Sequence, residues 1–126
     1  MVTKVLMIYP RFNPKSFWGY ELGRELLGAR YPCAPLGLIT VAAMLPKDWD
    51  IRLTNLNTET FRPDDLAWCD MVMISCMLAQ QFDALKVIEM ARGRVPVNVS
   101  MSCCFGCPME GEVPAAEVLR WSEHFA

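Results

Sequence analysis

The sequence predicts an α/β fold, a doubly wound parallel sheet of about four strands with helices packed on it. Three observations predict it. Lys4-Val5-Leu6-Met7-Ile8-Tyr9 and Met71-Val72-Met73-Ile74-Ser75 are continuous apolar runs, the pattern of strands buried on both faces. Strand-like and helix-like segments alternate along the chain, which implies right-handed crossovers between parallel strands. No internal repeat or low-complexity segment interrupts the alternation, and 126 residues with 53% of them apolar suit one domain.

The elements follow in order. Lys4 to Tyr9 is the first strand, closed by Pro10. Leu36 to Leu45 reads as a buried helix, with Pro35 near its start, where a missing N–H costs little, and Pro46 ending it. Trp49 to Leu56 alternates and reads as the second strand. Pro63-Asp64-Asp65-Leu66 begins one or two helical turns, with acids at the favoured end. Met71 to Ser75 is the third strand. Gln80 to Arg92 reads as a helix with Phe82, Leu85, Ile88 and Ala91 at helical spacing, and Gly93 stops it. Val95 to Val99 is a short fourth strand. Pro114 to Phe125 reads as a final helix.

Composition excludes several classes. Twelve Lys and Arg against fourteen Asp and Glu give a net charge of −2, with no basic stripe for nucleic acid. The longest uncharged apolar stretch, Tyr31 to Pro46, is broken by Pro32, Pro35 and Gly37, too short and interrupted for a membrane span. The N-terminus enters a strand at once and leaves no room for a signal peptide, so the cytoplasm is the expected compartment. Six cysteines in that compartment argue against a disulfide framework. Cys69 and Cys76, in apolar context, are expected to be small buried residues.

One connection is unusually long. Pro10 to Ala34 separates the first strand from its helix, where roughly 2–6 residues are usual. It leaves the carboxyl edge of the sheet, where open α/β folds bind ligands. It carries Phe12, Phe17, Trp18, Tyr20 and Tyr31, and Glu21 to Leu27 can form a short helix. Two readings stand side by side: a ligand lid, or a packing insert that caps the sheet.

Several motifs in the right order carry a resemblance. They are Asn13-Pro14-Lys15-Ser16-Phe17-Trp18, the stretch Pro35-Leu36-Gly37-Leu38-Ile39-Thr40-Val41-Ala42-Ala43-Met44-Leu45-Pro46, Trp49, Arg52-Leu53, Asn57, Trp68-Cys69-Asp70 and Ser75-Cys76-Met77. Over roughly residues 3–97 the chain resembles the N-terminal cobalamin-binding (B12-binding) domain of B12-dependent radical SAM enzymes, closest to the subgroup containing hopanoid methylases. The resemblance implies a flavodoxin-like (Rossmann-like) domain that holds cobalamin, a metal-ion cofactor serving as methyl carrier. In that family a following barrel holds a 4Fe-4S cluster and S-adenosylmethionine; the barrel is absent from this chain, and a barrel in another chain is one partner the resemblance implies.

The resemblance also implies site residues. A corrin needs a broad apolar shelf beside the strand ends, and its nucleotide tail needs a slot with a few hydroxyl or amide groups. Pro10, Arg11 and Asn13 stand where the family's post-strand loop meets the cofactor. Phe17 and Trp18 would shield a corrin face, Met77 would pack under it, Ser75 matches the hydroxyl that contacts the tail, and Gln80 would offer an amide. Each also has a plainer reading: Ser75 and Gln80 as helix caps, Phe17, Trp18 and Met77 as core.

The chain departs from the family twice. Many cobalamin domains place Asp-x-His-x-x-Gly after the first strand, where the histidine replaces the lower axial base. Here Tyr9-Pro10-Arg11-Phe12-Asn13-Pro14 stands instead, and the single histidine is His124. After the fourth strand the family's Gly-Gly-Pro turn and fifth strand are replaced by Asn98-Val99-Ser100-Met101-Ser102-Cys103-Cys104. The expected division is a cobalamin-binding-like α/β domain over 1–101, incomplete at its end, and a divergent tail over 102–126 with a helix at 114–125. Cys103, Cys104 and Cys107 contain a Cys-x-x-Cys, but Glu110 stands where a third cluster thiolate would be, so no metal site is expected.

A phosphoacceptor receiver domain fits poorly, because its acidic positions are Tyr9-Pro10 and Ser75-Cys76 here. Two further readings stay open: a flavin-binding flavodoxin-like module, and a non-catalytic interaction remnant that docks onto a partner through the sheet edge left by a missing fifth strand, an edge that would also favour self-association. The expected function is a cobalamin-binding module of a radical SAM methyltransferase-type protein, with no His ligand and no catalysis by this chain alone.

Overall fold

The computed structural model describes residues 2–15, 21–30, 33–99 and 111–125. Its strands are β1 (Lys4–Tyr9), β2 (Asp50–Asn55), β3 (Met71–Ile74) and β4 (Val97–Val99). Its helices are α1 (Glu21–Leu26), α2 (Leu36–Met44), α3 (Pro63–Trp68), α4 (Gln81–Ala91) and α5 (Ala115–Phe125). The four strands form one sheet in the order β2-β1-β3-β4, and every pair is parallel. The doubly wound α/β class expected from the alternation is the one found, with the strand order of a flavodoxin-like sheet.

Register divides the side chains between two faces. Met7 lies between Leu53 and Met73, and Ile8 between Thr54 and Ile74. Leu6, Ile8, Val72 and Ile74 pack with Leu66 and Cys69 around α3 and with Ala84, Val87 and Ala91 of α4. Val5, Met7 and Tyr9 pack on the other face with Phe12, Leu38 of α2 and Ala79. β1 is central and is buried from Val5 onward, as its unbroken apolar run requires.

Local sequence explains the boundaries. Pro63 opens α3 at its first turn with Asp64 and Asp65 beside it, where the helix dipole favours acids. Gly93 follows α4 at φ +71°, a left-handed position that a side chain would strain. β4 begins at Val97 rather than Val95: Pro96 lends its carbonyl to the N–H of Val72 at 3.0 Å but has no N–H to return.

Three expectations need correction. On α4 the stripe Phe82, Leu85, Ile88, Ala91 faces the sheet only in its second half: Ala91 is buried and Ile88 is half-buried against the core, while Phe82 is 61% and Leu85 43% exposed, and Ala84 and Val87 take the buried places instead. Small residues let the helix approach the strands closely, and the bulky ones are left outside. α2 is not buried: only Leu38 is, while Leu36 is 69% and Met44 81% exposed. Cys69 is buried as expected, but Cys76 is exposed. Among the described residues no helix is long and apolar enough to cross a membrane.

Candidate functional site

The sheet's switch point lies between β1 and β3, because the chain leaves β1 toward β2 on one side and returns to β3 on the other. Crevices for ligands open at the carboxyl ends of the strands there. Three segments meet at that edge: residues 10–13 after β1, 55–58 after β2, and 75–80 after β3.

A relay of side-chain amides ties these segments together. Pro10 is fully buried, and its carbonyl accepts hydrogen bonds from Gln80 Nε2 at 2.5 Å and Asn57 Nδ2 at 3.1 Å. Gln80 is 1% exposed, and its Oε1 accepts the Met77 N–H at 2.9 Å. Asn57 Oδ1 accepts the Phe12 N–H at 2.9 Å. Asn55 Oδ1 accepts both the N–H and the Nδ2 of Asn57, at 3.0 and 2.9 Å. The ends of β1, β2 and β3 are thus joined through three amide side chains, which satisfy backbone groups that the sheet edge leaves unpaired.

The loop after β1 is held further along. The Arg11 N–H donates to Asp83 Oδ2 at 2.8 Å and Arg11 Nε to the Leu56 carbonyl at 3.0 Å. The Asn13 N–H donates to the Ala79 carbonyl at 2.8 Å, and Asn13 Oδ1 accepts the Lys15 N–H at 3.0 Å. Phe12 is buried edge-on against Tyr9, ring centroids 5.9 Å apart. The Tyr9 hydroxyl lies 3.2 Å from Cys33 Sγ, linking β1 to the segment that enters α2. This first part of the long insert is therefore a packed bridge across the sheet edge.

The predicted residues separate accordingly. Pro10 and Gln80 are buried and committed to the relay; Gln80 makes no side-chain cap on α4 and turns both ends of its amide inward. Arg11 is exposed and anchored at Nε, so the ends of its guanidinium reach solvent at the edge. Asn13 is half-buried. Ser75 is half-buried beside the first turn of α2, where a Cβ on Gly37 would sit 3.6 Å from Ser75 Oγ. Among the described residues nothing hydrogen-bonds that hydroxyl. Met77 is 44% exposed and lies on the open side. Phe17, Trp18 and the Cys103, Cys104, Cys107 cluster lie outside the described residues. Among those described, no group of three or more His, Cys, Asp or Glu could hold a metal ion. Desolvation raises the thiol pKa of Cys76, which keeps it protonated near neutral pH.

Sequence reasoning missed Asn55 as a structural hub and gave Asn57 no role at the site. The signal was present: Asn55-Leu56-Asn57-Thr58 puts two amides at the carboxyl end of a strand, on the ligand edge of the sheet.

These features define the class: an open parallel α/β sheet whose strand order switches between β1 and β3. The chain is 39% identical over 89 residues to the uncharacterized methyltransferase sll1242 of Synechocystis sp., a match covering 71% of this chain and 16% of that protein. It is 30% identical over 109 residues to the hopanoid C-2 methylase of Rhodopseudomonas palustris, covering 83% of this chain and 20% of that protein. The chain thus spans about a sixth to a fifth of the length of these relatives. It is related to a segment of each of these two proteins. No family model matches it and no solved structure does.

Proposed function

We propose that this chain is the cobalamin-binding module of a B12-dependent radical SAM methyltransferase-type protein. The observation that carries the reading is the free Ser75 hydroxyl at the β1/β3 switch point, in a segment related to a hopanoid methylase. Bound cobalamin would supply a cobalt centre that carries a methyl group. The residues of this chain would bind and orient it. Ser75 would hydrogen-bond the nucleotide tail beside α2, Met77 would offer apolar surface to the corrin, and Arg11 would offer N–H donors to the cofactor's polar rim. Pro10, Gln80, Asn55 and Asn57 would keep the three loops in place without touching it. The Pro10 to Pro14 segment has no histidine, so it would offer the cofactor no imidazole. The 4Fe-4S cluster and S-adenosylmethionine would belong to a barrel beyond this chain.

The test is to mix the protein with hydroxocobalamin, desalt it, and record the visible spectrum. Corrin absorbance co-eluting at about one per chain is expected, lowered at least about tenfold in affinity by Ser75→Leu, which fills the slot and removes the hydroxyl. A colourless protein that is folded by circular dichroism overturns the reading. Flavin mononucleotide in a parallel mixture tests the flavodoxin-like alternative.

A further inference from the structure

An open groove lies away from the ligand edge, between α4 and β4. It encloses about 970 Å³ and is lined by Leu85, Ile88, Met90, Val95 and Val97, with Lys86, Glu89 and Arg92 along its rim. Among the described residues β4 forms one edge of the sheet, with β3 as its only strand neighbour. The strand reads Val97-Asn98-Val99, with none of the lysines or inward charges that commonly protect an edge. Leu85 and Met90 are exposed beside it.

We propose that a second copy of this chain fills the groove, pairing β4 with β4 antiparallel about a two-fold axis. Geometry supports this occupant. α4 leads from β3 to β4, and its Leu85 and Ile88 line the groove together with Val95 and Val97. A strand added to β4 lies roughly 4.8 Å beyond it and carries the second copy's α4 alongside the groove. The pairing then continues the sheet through both copies and covers Leu85 and Met90.

Charge selects the register. A two-fold axis sets the same patch against itself, so a rim of one sign would repel. This rim carries both signs, Glu89 lying between Lys86 and Arg92 in the sequence. Antiparallel helices centred between Lys86 and Glu89 set each glutamate against the lysine of the other copy. Centring on Glu89 would set glutamate on glutamate and lysine on arginine, which costs energy. The inference is independent of the cofactor reading.

Sedimentation velocity or light scattering over a concentration series tests it. A dimer is expected in the range of about 1–100 µM, as a short strand and one helix face make a small interface. Lys86→Glu should weaken it at least about tenfold, and adding Glu89→Lys should restore it to within about threefold. Ile39→Glu, on α2, should leave it unchanged. A monomer up to about 500 µM overturns the proposal. So does a dimer indifferent to Lys86→Glu, one not restored by the double change, or one lost in Ile39→Glu, which would assign the contact to α2. A monomer whose α5 amides resist hydrogen exchange, and lose that resistance in Leu85→Asp, would give the groove to α5.

Discussion

Helices α2 and α4 pack on opposite faces of the same sheet and reverse the usual relation between composition and burial. α4 carries Asp83, Lys86 and Glu89, yet buries Ala84, Val87 and Ala91. α2 carries no charge at all, yet buries only Leu38. The difference is one of coverage. Four strands span about 14 Å between outer axes, and a helix covers roughly 10 Å, so each face needs two helices. α3 and α4 share one face and bury Leu66, Ala84, Val87 and Ala91 together against the sheet. On the other face α2 is the one helix in the core among the described residues, with Ile51 and Met73 half-buried at its flanks and Leu53 of β2 40% exposed. An apolar sequence marks what a helix can bury; the number of neighbours decides what it does bury.

The strongest way to break this comparison is to put one charge on each helix. Val87→Asp places a carboxylate among Val72, Ile74 and Leu66 with no partner, and the domain should lose its cooperative unfolding transition, a cost of several kcal/mol. Ile39→Asp, on the outer face of α2, should change stability by no more than about 0.5 kcal/mol. Urea denaturation followed by circular dichroism measures both. Equal losses would mean that α2 is covered as α4 is, and the two-face account would fall.

The amide relay offers a second, smaller contrast, between segments tied by side chains and segments tied by the sheet. Gln80→Leu leaves the Met77 N–H and one acceptor site of Pro10 unpaired and should cost about 1–3 kcal/mol; Asn57→Ala should cost a similar amount. Because both donate to one carbonyl, the double variant should lose less or more than the sum, by about 0.5 kcal/mol or above, whereas two unconnected surface changes would add. Thermal or urea unfolding of the three variants reads this coupling. Strict additivity would show that the three loops are not joined as a unit.

The parts of this molecule legible in the sequence are those set by local chemistry. The run Lys4 to Tyr9 gives β1 residue for residue, Pro63 gives the start of α3, and Gly93 gives the end of α4. The faces of α2 and α4 were not legible, because two apolar stripes overlap on α4 and periodicity cannot choose between them. Closeness of approach chose the stripe with two alanines. At the candidate site, Ser75, Met77 and Pro10 were found at the strand ends by their order in the chain. The role of Gln80 was not, since its partner Pro10 is 70 residues away and only the sheet order brings them together. Asn55 and Asn57 were not read as site residues for a related reason: the Phe12 N–H and the Pro10 carbonyl that Asn57 bonds lie about 45 residues away and meet it only through the sheet order.

The two described cysteines of the third strand's neighbourhood sharpen the comparison between closed and open regions at the smallest scale. Cys69 lies in the core under α3, its thiol 3.7 Å from the Leu66 carbonyl. Burial is the main force raising its pKa above the ordinary 9.0, with smaller pushes from the charges of Asp70 and Asp65. The folded state therefore holds the proton more tightly than the unfolded chain. The resulting stabilisation is complete below about pH 9 and falls as the pH climbs past the unfolded value toward the folded one. Wild-type protein should lose stability more steeply than Cys69→Ala as the pH rises above about 9, although the alanine variant is the less stable at about pH 7. Parallel curves for the two proteins would show that the Cys69 thiol ionises as freely in the fold as outside it. Thiol labelling at about pH 8, near the ordinary thiol pKa, gives an independent reading. Cys33 and Cys76, both exposed, should react in the native protein, and Cys69 only at the rate at which the core under α3 opens.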